Sequence, residues 1–90
     1  MHRATAPKKT ISNPIPIKLL GNRLTLTSPA AFPPGSLVQF ELNVSTYPEP
    51  MKLLGKIISI VPGDSDCFRI VVRLHNLTRE QSADIHRHFS

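Results

Sequence analysis

The chain has 90 residues, 40% of them hydrophobic, a formal net charge of +5 and a single cysteine, Cys67. That length fits one domain with a thin core, burying roughly 60–65% of the surface its unfolded chain exposes, and excludes a multidomain organisation. One cysteine excludes an internal disulfide and fits a reducing compartment, and no leader or apolar run near the roughly 18 residues of a membrane span occurs, so a cytoplasmic protein without membrane insertion is expected.

Residues 1–14 lack apolar periodicity and carry Pro7 and Pro14, which suggests a basic flexible arm. A folded domain is expected over 15–90. Ile15, Ile17 and Leu19 alternate with Pro16, Lys18 and Leu20 as a strand does, and Pro16, with no amide to donate, places that strand at an edge. Gly21-Asn22 forms a two-residue hairpin turn into a second strand, where Leu24 and Leu26 alternate with Arg23, Thr25 and Thr27. Pro29, Pro33, Pro34 and Gly35 mark a loop. Val38, Phe40, Leu42 and Val44 then give the cleanest half-buried strand. After Tyr47-Pro48-Glu49-Pro50, residues 51–61 are nearly all apolar, and Gly55 inside them predicts a β-bulge. An acidic turn at 62–66 leads to a strand with Phe68, Ile70, Val72 and Leu74 inward and Arg69, Val71, Arg73 and His75 outward. Thr78 and Gln81 form a capping box for a helix over about 78–89, with Ile85 and Phe89 on one face.

The charge is unevenly placed. Residues 1–27 hold Arg3, Lys8, Lys9, Lys18 and Arg23 and no acid, whereas residues 28–90 hold six basic and six acidic side chains. Such asymmetry points to an anionic partner at the N-terminal end, and those five residues are the candidate ligand-binding set. Leu37, Leu54 and Val71 interrupt the polar side of their strands and are candidate protein-interface residues.

Short strands with proline and glycine turns predict a mostly β fold, a small six-stranded antiparallel β-barrel with a C-terminal helix, since closure removes exposed edges. Leu24-Thr25-Leu26-Thr27-Ser28-Pro29, then residues 32–42, then Leu53-Leu54-Gly55-Lys56 with its aliphatic continuation, then residues 68–74 followed by Leu77-Thr78-Arg79-Glu80-Gln81, together resemble the PilZ domain of bacterial signalling proteins over about 23–89. The resemblance implies that barrel and a regulatory role in cyclic di-GMP signalling, which controls motility, pili and polysaccharide. It also implies two ligand motifs, Arg-x-x-x-Arg and Asp/Asn-x-Ser-x-x-Gly. This chain departs from both: Pro7 stands four residues after Arg3, and Lys18, Leu20 and Arg23 occupy the three key places of the second motif. The expectation is a regulatory module with a degenerate nucleotide site, working through protein contacts as a monomer or homodimer. The alternatives are cyclic di-GMP bound through the basic arm, or a basic barrel binding single-stranded nucleic acid. The last is disfavoured because aromatic stacking residues are few.

No cofactor, metal or catalysis is expected. Cys67 has no partner at metal-ligand spacing, His86 and His88 lie two apart on a helix, and no nucleophile, phosphate-loop or dinucleotide motif occurs.

Overall fold

The computed structural model describes residues 9–44 and 48–89. Its elements are strands β1 (Lys9–Thr10), β2 (Ile15–Leu20), β3 (Arg23–Ser28), β4 (Leu37–Leu42), β5 (Met51–Pro62) and β6 (Phe68–His75), then helix α1 (Arg79–His88). The strands form one sheet in the order β1-β4-β5-β6-β3-β2. All neighbours pair antiparallel except β1 and β4, which are parallel.

Local chemistry sets the turns. Gly21-Asn22 joins β2 to β3, closing on the Leu20–Arg23 pair. Ser36 N–H donates to Pro33 O across Pro34-Gly35, and Gly35 sits at φ +90°, a region that a side chain rarely tolerates. Between β5 and β6, Ser65 and Asp66 both have positive φ, and Cys67 N–H donates to Asp64 O at 3.1 Å. That is the type I′ geometry whose twist matches a hairpin.

Alternation then sorts each strand. Leu24 and Leu26, Val38, Phe40 and Leu42, Met51, Leu53 and Ile57, and Ile70, Val72 and Leu74 are all buried in one core. Ile11, Leu19 and Val44 join it from outside those runs. α1 adds Ile85, fully buried, with Phe89 packed half-buried behind it. The helix starts where its cap dictates. Thr78 Oγ1 accepts from Gln81 N–H and Gln81 Oε1 accepts from Thr78 N–H, both at 3.0 Å.

Three expectations are corrected. First, the sheet is not a closed antiparallel barrel. It is an open mixed sheet with β1 and β2 at its two ends. β1 runs for only two residues. After Ile11 N–H donates to Gln39 O, the chain turns at Asn13, φ +52°, and Pro14 and Pro16 supply no amide to extend the ladder. A groove of about 760 Å³ lies between the 10–16 segment and β4. β1 and the buried Ile11 lie within the stretch expected to be an arm.

Second, the bulge is at Ile58, not Gly55: Ile57 pairs with Val72 and Ser59 with Val71. Gly55 stays in register between Val38 and Leu74. Its glycine serves close approach, because an added Cβ meets Arg73 O at 2.6 Å and Val72 Cγ1 closer still. Third, Ile15, Ile17 and Leu19 do not share a face. A register shift between Pro16 and Lys18 leaves Ile17 unpaired, so Leu19 is buried while Ile15 and Ile17 are exposed.

Candidate functional site

Cross-strand partners in a sheet project to the same face. The strand register therefore maps the face opposite the core row by row. One row crosses five strands: Leu20, Arg23, Arg73, Lys56, Leu37. The next holds Lys18, Thr25, Val71 and Ser59, and the third Ile15, Thr27, Arg69 and Val61.

Three cations thus stand directly opposite one another, Arg23 beside Arg73 beside Lys56, with Lys18 one row away on β2. Strand spacing of about 4.8 Å makes this row of three roughly 10 Å long. Lys18, Arg23, Lys56, Arg69 and Arg73 are all exposed, and none is in an ion pair with a described residue. The acids lie off the stripe. Glu41 shares this face but lies two rows from the stripe, opposite Lys52 on β5, Glu49 precedes β5, Asp64 and Asp66 occupy the β5–β6 turn, and Glu80 and Asp84 are on α1, where Asp84 pairs with Arg87. In the rows beside the stripe Thr25 is buried, Thr27 half-buried and Ser59 exposed. Like charges directly opposite each other repel, and guanidinium groups are shaped to fork onto phosphate or carboxylate. The arrangement can hold an extended or multiply charged anion.

The sequence-derived ligand set is divided. Lys18 and Arg23 lie on this face. Lys9 is exposed on β1 at the far end of the sheet, paired with Val38 and so facing the other way. Arg3 and Lys8 lie outside the described residues, as does Tyr47. Of the candidate interface residues, Leu37, Leu54 and Val71 all project to the same outer face, Leu37 exposed and the other two half-buried. Sequence reasoning missed Arg69, Arg73 and Lys56 as site residues. Their outward placement was legible in the alternation, but their company with Arg23 and Lys18 was not, because β3 and β6 are distant in sequence.

Among the described residues no group of His, Cys, Asp and Glu is placed to hold a metal ion. No described helix is long and apolar enough to cross a membrane. Comparison with models of known families, with curated proteins and with solved structures gives no match. No relative therefore supports the PilZ resemblance or a link to cyclic di-GMP and motility, and the barrel that the resemblance implied is replaced by an open sheet.

Proposed function

We propose that this chain is a binding module that takes a multiply charged anionic partner on the outer face of its sheet. The observation that carries the reading is the unbroken row Arg23–Arg73–Lys56, which has no carboxylate within it. Three like charges on adjacent strands cost folding energy, and an anion laid across them reverses the sign of that term. Protein contacts through Leu37, Leu54 and Val71 use the same face, so an acidic protein surface belongs to the same class of partner. Cyclic di-GMP, with two phosphates and two guanines, is one small anion whose chemistry suits paired arginines.

Calorimetric titration at moderate salt tests this, with cyclic di-GMP and a single-stranded thymidine oligonucleotide as titrants. The expected result is binding of one or both that weakens as salt rises and is lost in Arg73→Glu. Binding that survives Arg73→Glu but disappears when Arg3, Lys8 and Lys9 become Ala assigns the anion to the N-terminal arm instead. Absence of any salt-sensitive binding refutes the proposal.

A further inference from the structure

The link between β1 and β2 is at odds with its own local chemistry. β1 docks on β4 and β2 ends the sheet order on the opposite side, yet only residues 11–14 join them. Four residues reach at most about 14 Å, and here the path also turns. The turn is made at Asn13, whose φ is +52°. Of the described residues with positive φ, Asn13 alone stands before a proline. The residue before a proline is steered to extended backbone with φ near about −120°. The closed path therefore holds Asn13 in a left-handed region that Pro14 opposes. Ser12 and Asn13 are exposed, so burial does not fix them there. Pro16 steers Ile15 to extended backbone as well, and the segment from 13 to 16 favours a straight course.

The segment before this hinge is well held. Ile11 is 2% exposed in the core. Its N–H donates to Gln39 O at 3.0 Å, and Gln39 Nε2 donates to Thr10 Oγ1 at 3.1 Å. These contacts join residues 10 and 11 to β4 and the core, and none of them uses the link to β2. An identical segment of a second chain satisfies them equally. Residues 12–14 then straighten and Asn13 leaves its positive φ, while Ile11 keeps its burial. A short strained hinge beside a docked segment is the circumstance that favours exchange of that segment between chains. The groove of about 760 Å³ between residues 10–16 and β4 lies where the closed hinge pulls the chain off β4.

We infer that two copies of this chain exchange β1 and Ile11, each β1 pairing in parallel with β4 of the other copy, with Ser12–Pro14 as the hinge. The edge of β4 is thus an interface for a second copy, whose Ile11 completes the core. The inference is independent of the proposed anion-binding face.

Sedimentation equilibrium of the full chain from micromolar to millimolar concentration tests it. A dimer is expected to accumulate as concentration rises. Asn13→Gly accepts the positive φ and should weaken the dimer about fivefold at each hinge, hence about 25-fold in its dissociation constant. Pro14→Ala should shift it in the same direction. Asn13→Val, which rejects positive φ, should tighten it. Circular dichroism checks that each variant keeps its fold. In a Cys67→Ser background, Thr10→Cys/Gln39→Cys places two thiols on a registered cross-strand pair, close enough to couple on oxidation. The expected product is a covalent dimer that neither single-cysteine variant gives. A disulfide formed within one chain shows β1 on its own β4 and overturns the exchange. A monomer at every concentration overturns it too. A dimer unmoved by Asn13→Gly and Asn13→Val overturns it in favour of contact between outer surfaces. Where the thiols fail to couple or couple indiscriminately, the hinge variants decide: opposite shifts from Gly and Val support the exchange, and no shift overturns it.

Discussion

Gly55 and Arg73 are cross-strand neighbours of opposite kind. Gly55 is held by space: its missing Cβ lets Val72 and the Arg73 carbonyl approach. Gly55→Ala should therefore destabilise the fold by about 1–3 kcal/mol, the usual cost of overpacking, read as a lower denaturant midpoint at unchanged slope. The Arg73 side chain is exposed, forms no ion pair with a described residue and is flanked by Arg23 and Lys56. Arg73→Glu creates two opposite-charge cross-strand pairs, so thermal or chemical unfolding should show stability unchanged or raised by about 0.2–1 kcal/mol while anion binding is lost. A variant that loses stability and binding together would show that Arg73 is structural. The opposition of stability and binding at one side chain is the signature of a functional charge.

Among the elements, α1 and β2 show how differently local signals translate. The capping box at Thr78 and Gln81 uses only neighbouring residues, so it forms as the sequence predicts. Thr78→Ala should cost about 1 kcal/mol in global unfolding. Ile85 is the one fully buried side chain of α1, and Ile85→Ala should cost about 2–5 kcal/mol, measured by the same unfolding experiment. β2 behaves otherwise. Pro16 places it at an edge, as expected, but the slip at Ile17 reverses which side chains meet the core. Strict alternation cannot reveal a bulge, because a bulge breaks the period it would be read from. Gly55 misled for a related reason: glycine in a strand signals either a bulge or close approach, and only the neighbour decides.

At the scale of the whole molecule, the two ends of the sheet do not pair with each other, although only residues 11–14 join β1 to β2. A closed barrel would protect both edges. Here β2 relies on Pro16, exposed Lys18 and a bulge, which are standard guards of an open edge. The separation of charge belongs to this scale too. Residues 28–90 are neutral as a string, yet the sheet carries their Lys56, Arg69 and Arg73 to the outer face, where Glu41, opposite Lys52, is the one acid, and leaves the other acids on turns and helix. Surface fields of this kind are screened over about 8–10 Å in physiological salt. Anion affinity should therefore drop steeply with added salt, measured as the slope of log affinity against log salt, and the slope should shallow by about one unit in Lys56→Ala.

By itself the sequence determined what depends on near neighbours. The acidic turn expected over 62–66, the turns at Gly21-Asn22 and Pro34-Gly35, the strand segments other than β1, the inward faces of β4 and β6, and the capped helix all follow from dihedral preference, alternation and side-chain hydrogen bonds a few residues apart. Its charge asymmetry named Arg3, Lys8, Lys9, Lys18 and Arg23 as candidates. Only the tertiary structure decided that β1 pairs in parallel and ends after two residues, that the sheet stays open, and that Arg23 on β3 meets Arg73 on β6 and Lys56 on β5. These outcomes depend on strand order and register between distant segments. Register is set by how whole faces bury against one another, and a shift of one residue, such as those at Ile17 and Ile58, exchanges core for surface without altering composition or local propensity.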